Sequence, residues 1–287
     1  MWIVYSVASA IFAGIVSILA KIGIKNTDSN LATALRTCVV AVFAWLMVFV
    51  VGSQTTLFSV DKKSLIFLVF SGVATGGSWL CYFKALQIGD VNKVVPVDKS
   101  STVLTIILSI ILFNEGIHWL KVFAIILIGI GTYLMIERKE TVSNNEKGIK
   151  WLIYAIFAAV FASLTAVLAK IGITGVESNL GTAIRTMVVL VMAWLIVLIQ
   201  GKQHEIKNID KKSRVFIGLS GFATGLSWLC FYRALQEGPV SVVVPIDKLS
   251  ILVTIAFSYF ILHEKLKKAA FIGLIMIVAG TLSLLAT

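Results

Sequence analysis

Charge is scarce in this sequence. Of 287 residues, 14% are Asp, Glu, Lys or Arg and 59% are hydrophobic. The mean hydropathy is +0.98. Soluble domains are about 45–50% apolar and about 25% charged, so a soluble globular protein is excluded and the surplus apolar surface must face lipid. Long polar stretches are missing too. The longest, Glu137 to Lys150, is too short for a soluble domain. Strict apolar–polar alternation, which marks membrane β-strands of about ten residues, is also absent. Runs such as Thr102 to Phe113 and Val188 to Ile199 are apolar on every face, which excludes a β-barrel. Cys38, Cys81 and Cys230 lie inside apolar runs and match no disulfide or metal framework. They read as small packing residues. His118, His204 and His263 fall in loops without ligand spacing. No cofactor and no metal site is expected. No GxxxxGK[ST] motif is present, so ATP does not drive the chain directly. No nucleophile–base pair or metal constellation is visible either, which argues against an enzyme. Nor is a cleavable signal peptide expected. The first apolar run lacks a basic start and a small-residue cleavage site, and it is long enough to span.

What is present is a series of apolar runs, each about as long as the 20 residues a helix needs to cross the hydrocarbon core. They predict spans at 2–24, 31–51, 64–88, 91–113, 117–136, 150–173, 180–200, 213–236, 240–262 and 267–286. The expected fold is therefore all-α and integral to the membrane, with ten transmembrane helices. The net charge of +11 sits at helix ends and in short loops. Anionic membrane lipids, not nucleic acid, are the partner this implies.

The sequence repeats itself. Leu19-Ala20-Lys21-Ile22-Gly23-Ile24 recurs as Leu168-Ala169-Lys170-Ile171-Gly172-Ile173. Arg36-Thr37 recurs as Arg185-Thr186, and Ser78-Trp79-Leu80-Cys81 as Ser227-Trp228-Leu229-Cys230. Val94-Val95-Pro96-Val97-Asp98-Lys99 recurs as Val243-Val244-Pro245-Ile246-Asp247-Lys248, and Glu115 as Glu264. The offset is always 149 residues, without a gap. This divides the chain into residues 1–140, a linker at 141–149, and residues 150–287. Five spans per copy is an odd number, so the second copy enters the membrane inverted. Inverted repeats are a recurrent transporter design.

Each copy resembles an EamA repeat of the drug/metabolite transporter superfamily. The residues that carry the resemblance are Tyr82-Phe83-Lys84-Ala85-Leu86 before Gly89, Pro96, Glu115, Gly129 and Gly131. In the second copy they are Tyr232-Arg233-Ala234-Leu235, Gly238, Pro245, Glu264, Gly273 and Gly280. The resemblance implies a ten-helix monomer in the plasma membrane. Its central cavity would be lined by the first, third and fourth spans of each copy. It also implies both termini in the cytoplasm. The distribution of Lys and Arg points the other way. On the side holding the termini, side A, first-copy loops carry Lys62, Lys63 and Lys121. Side B carries Lys202, Lys207, Lys211, Lys212, Arg214, Lys265, Lys267 and Lys268, with Arg138, Lys139, Lys147 and Lys150 in the linker. The positive-inside rule makes side B cytoplasmic.

Ionisable groups inside spans are expensive and are functional candidates by default. In the first copy they are Lys21, Arg36, Lys84, Asp98 and Lys99, all towards side B. Their counterparts Lys170, Arg185, Arg233, Asp247 and Lys248 lie towards side A. A plain reading exists for the bases near helix ends, which can snorkel to water. Another is that Asp98 pairs with Lys84 or Arg36. Asp98, Ser101, Thr105 and Ser109 share one helix face, and Asp247, Ser250, Thr254 and Ser258 repeat the stripe. Starting at an acid, the stripe reads as a polar path. Pro96 and Pro245 precede the acids by two residues and are candidate hinges. Trp79 and Trp228, with Tyr82 and Tyr232 about a turn on, are candidates for cavity lining or a gate, or for plain packing. Glu115 and Glu264 read as interfacial caps or latches. The GxxxG matches Gly72 to Gly76 and Gly221 to Gly225 read as close helix packing, within one chain or at a dimer face.

These features predict a secondary active transporter for a small polar metabolite. Asp98 and Asp247 are candidate proton or substrate sites. Four bases against one acid at each mouth favour an anionic or zwitterionic ligand. Organic cations are disfavoured, because residues 2–20 and 151–169 contain no acid. The alternative is a flippase for a lipid-linked precursor.

Overall fold

The computed structural model describes residues 1–23, 27–88, 97–98, 100–134, 150–262 and 268–286. Pro96, Lys99, Glu264 and the linker 141–149 lie outside the described residues, as do the side chains of Lys21 and Ser258. Within them the chain is helical. In order, the helices are α1 (Trp2–Gly23), α2 (Ser29–Val51), α3 (Lys62–Ile88), α4 (Ser101–Phe113), α5 (Trp119–Leu134) and α6 (Lys150–Gly172). There follow α7 (Ser178–Ile199), α8 (Lys211–Glu237), α9 (Val240–Lys248), α10 (Ser250–Leu262) and α11 (Lys268–Ser283). Six segments are long and apolar enough to cross a membrane: Asn30–Val51, Lys62–Tyr82, Lys150–Gly172, Ser178–Ile199, Lys211–Glu237 and Lys268–Ala286. Trp2–Val16, Ser101–Phe113 and Trp119–Leu134 are shorter apolar helices.

Most boundaries fall within two residues of those read from hydropathy, and polar caps explain three of the shifts. Asp28 accepts from the Asn30 and Leu31 amides, so α2 begins before its apolar run. Glu177 caps α7 through Leu180 N, and Asp210 caps α8 through Ser213 N. The Ser213 side chain and backbone amide hold the Asp210 carboxyl below its ordinary range. The expected span 240–262 keeps its bounds but is interrupted once. It is two helices, α9 and α10, separated at Leu249. The discontinuity lies four residues beyond Pro245, which itself sits inside α9.

Large apolar side chains face outward as well as inward. Ile, Val, Leu and Phe dominate the exposed positions, as at Val42, Leu46, Phe49, Ile153, Phe157, Val191 and Leu195. The interior is rich in Ala, Ser and Thr, interleaved with Val, Leu and Ile such as Leu31, Val48, Leu180 and Val243. Helices in lipid gain little from apolar contact with one another, so close approach at small residues must hold them together. A methyl on Gly131 of α5 would come within 2.6 Å of the Gly273 carbonyl oxygen of α11. One on Gly280 of α11 would come within 3.1 Å of the Ala124 carbonyl oxygen of α5. The contacts are reciprocal at the 149-residue offset and run in opposite senses, so α5 and α11 are antiparallel. Helices α1 and α8 repeat this, with Ser9 on Ser227 and Gly23 on Ile217. Helices α6 and α3 mirror it, with Ser78 on Ala158 and Gly172 on Leu68. The GxxxG glycines also pack within the chain. Gly72 and Gly76 of α3 face Val188 and Met192 of α7, and Gly221 and Gly225 of α8 face Val39 and Phe43 of α2.

A methyl on Gly221 would sit 2.7 Å from Val39 Cβ and 2.8 Å from the Arg36 carbonyl oxygen. Gly221→Val should therefore lower the melting temperature of the purified protein by an amount equivalent to about 1–3 kcal/mol. Gly129 has nothing within 4 Å, and Gly129→Ala should be neutral or mildly stabilising through helix propensity. Equal melting temperatures for Gly221→Val and the parent would contradict this packing.

Candidate functional site

A cavity of about 250 Å³ lies where α1, α3, α4, α6, α7, α8 and α9 converge. Its lining joins the two halves of the chain. Ala13 faces it with its counterpart Ala162, Ser78 with Ser227, and Trp79 with Trp228. Among the described residues, others on its wall lack their counterparts. Arg185, Asp247, Lys248, Tyr232 and Phe231 line it from the second half; Thr75, Ser101 and Thr105 do so from the first.

Arg185 is 3% exposed. Its Nε donates to Ser71 Oγ at 3.1 Å and its Nη2 to Thr75 Oγ1 at 2.6 Å. Both hydroxyl protons are already committed, to the Thr165 carbonyl at 2.8 Å and the Ser71 carbonyl at 3.0 Å. Their lone pairs are thus what the guanidinium meets. Its Cζ lies 4.8 Å from the Trp228 ring centroid and 4.9 Å from that of Tyr232, within cation–π range. Nη1 has no partner. Neutral hydroxyls and ring faces orient this cation but do not neutralise it. Buried charges are ordinarily paired, and here the cavity is where a counter-charge can enter.

Asp247 Oδ1 accepts from Ser9 Oγ at 2.6 Å, and Ser9 in turn meets Ser227 at 3.2 Å. Lys248 lines the cavity and also a second pocket of about 20 Å³ with Thr102, Thr132 and Thr281, room for about one water. Other candidates are not brought here. Arg233 is 44% exposed on its side chain, and its Nε pairs with Glu237 Oε1 at 2.6 Å. Lys84 is exposed on α3. Arg36, Asp98, Ser250 and Thr254 do not line this cavity. The offset pairs Tyr82 with Phe231 rather than with Tyr232. Only Tyr232 of the two tyrosines reaches the wall, and it is 1% exposed.

Towards side A the structure is latched. Glu115 Oε1 accepts from Val240 N at 2.9 Å, and Oε2 accepts from Ser241 N at 3.3 Å and from the Ser241 hydroxyl. A carboxylate from the end of α4 thus caps the N-terminus of α9, where the helix dipole favours negative charge. Lys121 Nζ lies 3.7 Å from Glu115 Oε2. Lys170 Nζ donates to the carbonyls of Leu235, Gln236 and Gly238, satisfying the C-terminal end of α8. Lys170, an intramembrane candidate, is therefore a cap. Sequence reasoning missed Ser9, Ser71 and Thr75. For Thr75 the sequence carries a signal, because it sits inside the GxxxG match from Gly72 to Gly76 that reads as packing.

The EamA-like transporter family model matches this chain twice, over residues 1–137 and 149–286. The chain belongs to the EamA-like transporter family. It is a multi-pass membrane protein of the drug/metabolite transporter superfamily, and a transporter by family rather than an enzyme. An uncharacterised transporter from the cobO 3′ region of Sinorhizobium sp. is 41% identical over 134 residues. The match spans 47% of this chain and 95% of that protein, which is thus about half as long. The uncharacterised transporter sll1164 of Synechocystis sp. is 26% identical over 219 residues, 70% of this chain and 59% of that one. A solved crystal structure aligns with a TM-score of 0.80 over 97% of this chain and 94% of its own, at 16% identity, a likeness of fold.

Two outcomes follow from the geometry. Arg185→Met should raise the melting temperature of the ligand-free protein, because it removes an unneutralised buried charge. A fall would mean that the Ser71 and Thr75 bonds outweigh desolvation. Val240 is fully buried beneath the latch. A cysteine there (Val240→Cys) should react slowly with a maleimide, and about tenfold faster when Glu115→Ala removes charge-assisted bonds of about 1.5–3 kcal/mol each.

Proposed function

We propose that this EamA-family protein is a secondary active transporter in the plasma membrane. Its cargo is a small anionic or zwitterionic metabolite, moved by alternating access of two inverted five-helix repeats. The ten spans of this reading are α1 to α8, a broken ninth made of α9 and α10, and α11. The antiparallel, reciprocal contacts between the halves support the inversion. Exchanging the conformations of two such halves exchanges which side the cavity faces.

One observation carries the choice of substrate class: the buried Arg185 guanidinium, on the cavity wall, has no carboxylate partner among the described residues. A ligand carboxylate or phosphate is the missing counter-charge. Guanidinium recognises such groups in a bidentate fork. Asp247, held by Ser9, is placed to receive the ammonium of a zwitterion or a coupling proton. The serine and threonine hydroxyls suit a polar solute. About 250 Å³, roughly eight waters' volume, suits a small one.

The test is thermal stability against a panel of organic phosphates, carboxylates, amino acids and organic cations. A ligand at 100 times its dissociation constant should add about 2.7 kcal/mol. Stabilisation by anions or amino acids, lost in Arg185→Gln, is the expected result. Stabilisation by cations alone contradicts the charge argument. Silence across the panel transfers the weight to a lipid-linked substrate.

A further inference from the structure

The Arg185 site has a mirror image that is built but not engaged. The 149-residue offset carries Arg185 to Arg36, Ser71 to Ser220, Thr75 to Thr224 and Trp228 to Trp79. The backbones keep the same register in both places. Gly72 packs beneath the Arg185 carbonyl and Gly221 beneath the Arg36 carbonyl. Arg36 therefore leaves α2 above Ser220 and Thr224 as Arg185 leaves α7 above Ser71 and Thr75. The threonine proton is committed alike in both, with Thr224 Oγ1 donating to the Ser220 carbonyl at 2.7 Å. Trp79, like Trp228, is on the cavity wall.

The occupants differ. Ser71 Oγ receives Arg185 Nε and donates to the Thr165 carbonyl. Ser220 is 1% exposed, and its Oγ has no partner among the described residues. A buried hydroxyl left unpaired is costly and calls for an explanation. Its mirror supplies one, because the group that fills the equivalent place beside Ser71 is an arginine.

We infer that Arg36, Ser220, Thr224 and Trp79 form a second oxyanion-binding site, engaged when the two halves exchange conformations. A carboxylate or phosphate group is then passed from Arg185 near side A to Arg36 near side B. This rests on the alternating-access reading above. Each arginine is oriented by hydroxyls of the opposite half, so engaging one cradle and emptying the other is a single rearrangement.

Arginine modification by phenylglyoxal, read by peptide mass spectrometry, tests this directly. The probes are benzoate and inorganic phosphate, added to the full-length protein and to its Glu115→Gln variant, in which the side-A latch is weakened. The anion is expected to slow modification of Arg185 and of Arg36 by about tenfold, the latter most strongly in Glu115→Gln. Ser220→Ala should abolish protection at Arg36 and leave it at Arg185; Ser71→Ala should do the reverse. Ser220→Ala removes only an orphaned hydroxyl, so it should fold normally. Protection of Arg185 with no protection of Arg36 in either background overturns the second site and leaves the substrate class standing. Protection of Arg36 that survives Ser220→Ala overturns the cradle. Protection of neither arginine overturns both this site and the anionic-substrate reading.

Discussion

Everything in this molecule depends on how closely helices of one half can approach the other. Lipid offers the same apolar environment as a neighbouring helix, so no hydrophobic gain drives the halves together. What remains is van der Waals contact and hydrogen bonding at short range. That requires positions with no side chain, and the glycines of α3, α5, α8 and α11 supply them in matched sets. Because the sets are matched at one offset, the contact is self-complementary in the manner of a two-fold interface. The antiparallel arrangement is a result of that matching. The cavity follows in turn, since it is the space left where α1, α3, α6 and α8 pack most tightly on either side of it.

Much of the fold was legible from the sequence because lipid imposes simple rules. A run of apolar residues has one destination, and a repeat at one constant offset has few arrangements. The misses are local. The break at Leu249 was not legible, because Pro245 pointed to its own position. The helix instead tolerates the proline and loosens four residues later. The helix starts shifted because Asp28, Glu177 and Asp210 draw two more residues into each helix.

The site was less legible, and the reason is geometric. Spacing places residues on a face but cannot say which faces meet. Ser101 and Thr105 line the cavity while their partners Ser250 and Thr254 do not. Both stripes satisfy the same rule of periodicity, which therefore does not separate them. Arg185 and Arg233 look equivalent as intramembrane bases. One is buried among hydroxyls and rings; the other snorkels into an ion pair at the end of α8. Ser9 carries no motif. Its importance appears only because α1 crosses α8 where Asp247 comes near.

The half-length Sinorhizobium relative gives the 149-residue offset a further meaning. If two identical copies met by the same contacts, every residue would occur twice, and no side of the assembly could differ from the other in energy. Joining the copies in one chain removes that constraint. Lys121, which supports the Glu115 latch, has Ala270 as its counterpart; Ser9, which holds Asp247, has Ala158. Each such mismatch lifts a degeneracy. On the alternating-access proposal, a difference of 1.4 kcal/mol between two closed forms is already a tenfold preference. Covalent linkage thus lets single substitutions set a resting side, which identical subunits could not encode in their sequence.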